Sequence, residues 1–576
     1  MAAQPSSPEA LLAAIAHAGN EMTQGWMRLI GGTAPTAGAP SADWAGEFGG
    51  PRLAALQASY AEQQARLWMA LAAGPGSAPV VAPQPGDRRF AAKAWHENPF
   101  FDYLRQSYLL SARYFEELVE GAQLDAAAKD RLRFSLRQWI DAMSPANFVA
   151  TNPEALRRAL ETRGESLTRG LANLIADSHK GRLSQTDESA FEVGRNLATT
   201  PGRVVYENAL IQLIQYAPST AQVGKRPLVM VPPCINKFYI LDLQPENSFV
   251  RYAVDAGHVV FMVSWRNVGP EQGALTWDDY IEHGVLQALR AAREIAASDR
   301  VNALGFCVGG TLLGAALAVL AGEGDQLVES VTYLATMLDF SETGQIGLFV
   351  DEASLAAREA LIGRGGIFPG SDLAFMFSSL RANDLVWPYV VNNYLLGDTP
   401  AAFDLLYWNA DSTNLPGPMV CYYVRNTYLE NKLRVPGALI NCGVPLDLRK
   451  VDRPSFILAT REDHIVPWRS AYRSVGLLGG EKTFLLGASG HVAGVINPAA
   501  KNRRSYWCGA NHPANPEAWL GAAEQRPGSW WPQWAQWLEQ YKGGARKAPA
   551  RSGNRKYKAT EPAPGRYVKQ RANKEA

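Results

Sequence analysis

The chain changes texture near residue 190. Before that point, apolar positions recur at helical spacing; after it, short continuous apolar runs alternate with helical segments. Residues 100–119, FFDYLRQSYLLSARYFEELV, place apolar side chains at i, i+3, i+4 and i+7, which predicts an amphipathic helix. Asn152 followed by Pro153 and Glu154 predicts a second helix start. Two further helical patches, Pro8–Ile30 and Pro51–Ala72, sit among Ala, Pro and Gly. The segments GGTAPTAGAP and GPGSAPVVAPQPG on either side of the second patch read as flexible or extended.

Beyond Gln185 the apolar runs are RPLVMVPP (226–233), HVVFMVSW (258–265), VNALGF (301–306), VESVTYLAT (328–336), PSFILAT (454–460) and TFLLGA (483–488). Helical segments over Trp277–Ala297 and Val308–Gly322 separate some of them. Strands apolar on both faces, alternating with helices, predict an α/β protein with a parallel sheet covered on both sides. The stretch at about 340–450, rich in Trp, Tyr, Asn, Pro and Leu, interrupts the alternation and reads as a cap or lid insertion. The expected organisation is a variable segment over 1–90, an α-helical domain over 91–190, and a catalytic α/β domain over 191–576. The last contains the 340–450 cap and a basic tail over 541–576.

Charge and cysteine usage narrow the classes. The 576 residues carry 56 basic and 55 acidic side chains, so the whole chain is no electrostatic binder of nucleic acid. Residues 541–576 depart from this, with 11 Lys or Arg against 2 Glu, and read as a solvated tail or an arm for an anionic partner. The five cysteines include no CxxC pair, and their odd count suits a reducing compartment better than a disulfide framework. The N-terminus has no basic region ahead of its apolar run, and Val308–Gly322 is too short to span a bilayer. A soluble, cytoplasmic protein is expected. Zinc-protease, P-loop and dinucleotide fingerprints are missing, and no metal or cofactor is expected.

The chemistry concentrates at Gly305-Phe306-Cys307-Val308-Gly309, which joins an apolar strand to an apolar helix. This is a nucleophile elbow with Cys where most hydrolases carry Ser, and it points to an α/β-hydrolase fold. A helix N-terminus favours thiolate over thiol, and the Val308 N–H is placed to donate to an oxyanion. The fold calls for an acid and then a histidine after later strands. Asp463 follows PSFILATRE and His491 follows TFLLGASG, in the required order. Asp339 is the alternative acid and His464 the rival base, the latter also a candidate substrate contact. The loop after the first parallel strand commonly supplies a second oxyanion donor, which makes the Cys234–Ile235 backbone the candidate.

The residues also carry a family resemblance. PPCINKFYILDLQP (232–245), VSWRN (263–267), GFCVGGT (305–311), NDLVW (383–387), WNADSTNLPG (408–417), REDHIVPW (461–468), GHVAGVINP (490–498) and PGRYVK (564–569) resemble, in order, segments of class I polyhydroxyalkanoate synthases. The resemblance covers roughly residues 95 to 576, with many segments in order. It implies polymerisation of (R)-3-hydroxyacyl-CoA, such as 3-hydroxybutyryl-CoA, with release of CoA. Cys307 would carry the growing chain, His491 would activate its thiol, and Asp463 would assist the monomer hydroxyl directly or through His491. CoA is a substrate in this reading, and cofactors remain none. The implied partners are the growing polyester, a granule surface, a second copy in a homodimer, and phasin-type granule proteins. CoA phosphates call for a cation at the entrance, for which Arg381 is the candidate, with Asn236 and Lys237 beside it. A thioesterase or polyester depolymerase of the same fold is the competing reading, and a non-catalytic granule coat a third.

Overall fold

The computed structural model describes residues 50–73 and 78–572. The helical patch expected over Pro8–Ile30, the spacer after it and the last four residues lie outside the described residues. The chain forms two compact units. One comprises Met1–Asp187 and Ala374–Ala402, the other Glu188–Leu373 and Phe403–Ala576.

The first unit is helical, and its helix starts are written in the sequence. Asn98 accepts from the N–H groups of Phe100 and Phe101 ahead of Pro99–Gly121, Asp125 caps Ala126–Ala142, and Asn152 caps Pro153–Glu161. Each cap satisfies donors that a helix cannot satisfy itself, an effect of about 1 kcal/mol. The helix Gly50–Ala73 rests Leu53 and Leu56 against a core of Leu118, Val119, Leu132, Leu136 and Ile140. Residues 374–402 belong to this unit, so the insertion expected as one lid over 340–450 is divided between the two units. Packing gives the reason. Trp387, Val390 and Tyr394 bury their side chains with Ala142, and the Tyr394 hydroxyl donates to Asp177 at 2.8 Å. At Gly170 a side chain would sit 2.0 Å from the Tyr394 carbonyl oxygen, so the close approach requires glycine there.

The second unit is built on a ten-stranded sheet: β1 (Gly202–Glu207), β2 (Ile211–Tyr216), β3 (Leu228–Val231), β4 (Val260–Trp265), β5 (Val301–Phe306), β6 (Val328–Leu334), β7 (Ser455–Thr460), β8 (Lys482–Gly487), β9 (Ser505–Cys508) and β10 (Glu524–Pro527). Their order across the sheet is β1-β2-β4-β3-β5-β6-β7-β8-β9-β10. The central run from β4 to β8 is parallel, whereas β1, β2, β9 and β10 are antiparallel. All six expected strands are present in the parallel run. Every residue of β3, β4, β5 and β7 is buried, as strands covered on both faces must be. The helix Val308–Glu323 is buried from Val308 through Leu320, which explains its lack of a polar face.

The described part of the basic C-terminal segment packs its backbone on the sheet unit, while most of its cationic side chains stay exposed. Ala545–Lys547 pairs antiparallel with Gln222–Gly224. The backbone of 560–563 bonds to Gly202 and Val204 of β1 at 2.9 Å. Arg566 forms ion pairs with Glu207 and Glu561, and Lys556 with Glu294. These pairs hold part of the segment's positive charge against acidic side chains.

Candidate active site

Cys307 stands between β5 and the helix Val308–Glu323, with φ 54° and ψ −128°. A left-handed φ is costly for a side chain with a Cβ and persists only where surrounding structure holds it. Three contacts do so. The Cys307 N–H donates to the Leu334 carbonyl of β6 at 2.9 Å, and its carbonyl accepts from Gly310 and Thr311. The helix start presses on the end of β3: a Cβ at Gly309 would lie 2.4 Å from the carbonyl oxygens of Val231 and Pro232. Val308 is the first residue of that helix, so its N–H has no acceptor within the helix.

Asp463 and His491 come from the loops after β7 and β8. His491 Nδ1 and Asp463 Oδ2 are 2.7 Å apart, and both side chains are buried. Asp463 is held by its own turn: Oδ1 accepts from the N–H groups of Ile465 and Val466 at 2.9 and 2.8 Å, and Oδ2 accepts from the Thr460 hydroxyl at 3.1 Å. With Nδ1 committed to Asp463, Nε2 is the imidazole nitrogen left for the thiol. Burial pulls the imidazole toward its neutral form, but the Asp463 carboxylate and the neighbouring Cys307 outweigh it and hold His491 well above its usual range. Phe306, one residue before Cys307, stacks on the imidazole with ring centroids 5.5 Å apart. The three residues singled out from the sequence thus converge at one end of the parallel strands. The alternative acid Asp339 does not join them; it binds Ser341 and Asn431.

Other expected positions fall differently. The loop bearing Cys234 and Ile235 lies at the end of β3, beside β5, with the Ile235 carbonyl accepting from Thr413 N–H at 3.0 Å. The Cys234 thiol is buried, and burial pushes it up and favours its protonated form. His464 is half-buried next to Asp463. Arg381 belongs to the helical unit, where its guanidinium pairs with Asp384 at 2.7 Å. Lys237 cannot line an entrance: it is buried, with its ammonium on the Gln570 carbonyl at 2.6 Å. Among the described residues no group of three or more His, Cys, Asp or Glu side chains is placed to hold a metal.

The structure adds two residues that sequence reasoning missed. Tyr423 and Tyr428, from the insertion, have rings 5.7 Å apart and lie near Cys307. Trp277 stacks on Tyr423 at 5.2 Å and Phe340 packs edge-on to Tyr428 at 5.0 Å. Burial raises both phenols, so they remain protonated donors. The run CYYVRNTYL (421–429) was a visible signal of aromatic density but not of which ring faces the thiol.

Comparison with known proteins agrees with this geometry. Residues 86–253 match the family model of the poly-beta-hydroxybutyrate polymerase (PhaC) N-terminus, and residues 227–498 match that of the alpha/beta hydrolase fold. The chain is 52% identical over 560 residues to the poly(3-hydroxyalkanoate) polymerase subunit PhaC of Cupriavidus necator, covering 96% of this chain and 95% of that protein. It is 43% identical to the Rhizobium meliloti PhaC subunit over 494 residues, 85% of this chain and 80% of the relative. It is 44% identical to a poly(3-hydroxyalkanoate) polymerase of Methylorubrum extorquens over 501 residues, 86% and 82% of the two chains. A hydrolase-type sheet with Cys at its elbow, joined to this extent of identity, means that the chain belongs to the poly(3-hydroxyalkanoate) polymerases, a family of acyltransferases.

Proposed function

We propose that this polymerase extends its polyester from (R)-3-hydroxyacyl-CoA of short chain length, such as (R)-3-hydroxybutyryl-CoA, through an acyl thioester on Cys307. The observation that carries the reading is the His491–Asp463 pair at 2.7 Å beside Cys307. A thiol of ordinary pKa, about 8.5, is mostly protonated at neutral pH and needs a base and a positive environment to act. His491 accepts the thiol proton, and Asp463 fixes the ring and stabilises the imidazolium. The thiolate adds to the thioester carbonyl, the Val308 and Cys234–Ile235 N–H groups receive the oxyanion, and CoA departs taking the proton from His491. This exchanges one thioester for another with little net driving force. The hydroxyl of a second acyl group then attacks the enzyme thioester, His491 takes its proton, an oxygen ester forms and the thiol is restored. An ester is more stable than a thioester, so this step pulls the chain forward. A serine would form the stable ester one step too early.

Water is the competing nucleophile. The apolar wall of Trp277, Phe340, Tyr423 and Tyr428 beside Cys307 favours exclusion of water over hydrolysis. By the same reading the chain works in the cytoplasm at the surface of a polyester granule, as a homodimer beside phasin-type proteins, without metal or cofactor. The test is incubation of the purified chain with (R)-3-hydroxybutyryl-CoA, following CoA and recovered polymer together. CoA release with insoluble polyester is expected; CoA release with free 3-hydroxybutyrate would replace this reading with a thioesterase.

A further inference from the structure

The loop after β3, residues 232–237, contains almost no regular structure, yet the oxyanion reading requires its N–H groups to hold a fixed aim. Its anchors are therefore informative. Trp265 Nε1 donates to the Pro232 carbonyl at 2.9 Å, Thr413 N–H to the Ile235 carbonyl at 3.0 Å, and Trp408 Nε1 to the Lys237 carbonyl at 2.8 Å. These three tethers fall on carbonyls of the loop. The fourth is of another kind. Lys237 is 2% exposed, and its ammonium donates to the Gln570 carbonyl at 2.6 Å. The next residue, Arg571, bonds through its carbonyl to Asn267 Nδ2 at 3.2 Å and through its guanidinium to the Tyr407 hydroxyl. Asn267 Oδ1 in turn accepts from Asn414 N–H at 2.9 Å. The loop, residues 407–414 and the C-terminal segment thus form one closed net.

A buried ammonium is a costly way to fasten a loop. Burial drags Lys237 down to about 8, with Asp411 favouring its charge and Arg571 opposing it. An apolar side chain of equal length would fill the same space without that cost, so packing alone does not account for a lysine here.

We infer that Lys237 is a positioning residue: by gripping the Gln570 carbonyl it fastens the C-terminal segment to the 232–237 loop and holds the Cys234–Ile235 N–H groups on the oxyanion. This rests on the thioester reading above, and the test separates the two. Alkylation of Cys307 by iodoacetamide requires the thiolate but forms no oxyanion, whereas acylation by (R)-3-hydroxybutyryl-CoA requires both. In Lys237→Met, acylation measured as single-turnover CoA release is expected to fall about 10- to 100-fold, less than the roughly 10²- to 10³-fold of an oxyanion donor removed outright, since here the donor is only misaimed. Iodoacetamide alkylation and KM are expected to stay within about twofold of the unaltered chain, since neither depends on that donor. A chain ending at Lys569 removes the acceptor instead of the donor and is expected to show the same split. Combining the two changes is expected to cost no more than the worse one alone. The inference is overturned if acylation is unchanged in both variants, if alkylation falls together with acylation, or if the two losses multiply. Failure of the thioester reading would look different: the unaltered chain would release CoA even after Cys307 had been alkylated.

Discussion

Two buried carboxylates, one in each unit, make an instructive pair. Asp463 in the α/β unit accepts from two backbone N–H groups and the Thr460 hydroxyl, and shares Oδ2 with His491. Asp177 in the helical unit accepts from the Ser184 N–H and hydroxyl at 2.9 and 2.6 Å, and from the Tyr394 hydroxyl at 2.8 Å. Both are buried and well supplied with donors. They differ in what the last donor is connected to. The partners of Asp177 are groups that do not titrate near neutrality, and they join helix Glu165–Lys180 to residues 184 and 394. The partner of Asp463 is an imidazole whose other nitrogen is left for a thiol. Burial and hydrogen bonding alone make a clamp; a titratable link to the elbow thiol is what makes Asp463 part of a candidate site.

The largest expected effect breaks the site at its reacting atom. Cys307→Ser should lower polymer formation by more than about 10³-fold, because a serine at this pH is a far poorer nucleophile and forms the stable ester prematurely. Near-normal polymer yield would remove Cys307 from the mechanism.

Asp463→Asn should cost about 10³- to 10⁴-fold in turnover by losing the fixed, charge-stabilised imidazole. It should also move the His491 titration, read by NMR of labelled histidine. In the unaltered chain the folded pKa lies above the unfolded value of about 6.5, so the proton on His491 stabilises the fold below that pH. That contribution disappears as pH rises through the folded pKa. In Asp463→Asn burial remains while the carboxylate is gone, so the midpoint should drop. An unmoved midpoint would mean that the pair does not set the charge of the ring.

Asp177→Asn is the counterpart and should leave turnover within about twofold while costing about 1–3 kcal/mol in the urea unfolding of the helical unit, the cost of poorly satisfied buried polar groups. A large loss of activity at unchanged stability would erase the distinction between clamp and site.

The smallest effect concerns the aromatic wall. Tyr428→Phe removes one hydroxyl beside Cys307 and should slow CoA release by about 10-fold or less, the worth of one hydrogen bond. The accompanying readout is the ratio of polymer to free acid, which should stay high if apolar shielding, and not the phenol, keeps water out.

The sequence made the parallel strands legible because strands covered on both faces are continuous apolar runs. The antiparallel β1, β2, β9 and β10 were not found. β10 is exposed throughout, and β1 and β9 mix buried with half-exposed positions, so none forms such a run. β2 is buried throughout, but its two glutamines, Gln212 and Gln215, interrupt the apolar signal. The elbow and its two partners were legible because fold order constrains them: a strand, a tight turn, then Asp and His after later strands. Tyr423 and Tyr428 were not, since their approach to Cys307 depends on how the insertion folds back. Lys237 was misjudged as an entrance cation, and the pairing of the C-terminal backbone with the sheet unit went unseen, for one reason. Charge and composition are visible in a sequence, but the backbone partner that holds the residue or segment is remote in the chain.

The most direct measurement is mass analysis of the peptide containing residue 307, after turnover of (R)-3-hydroxybutyryl-CoA is stopped with acid. The account predicts that Cys307 carries one or more 3-hydroxybutyryl units, released by hydroxylamine, and that the modification is absent in Cys307→Ser. Polymer formed with residue 307 unmodified, or acyl groups carried elsewhere on the chain, would contradict it.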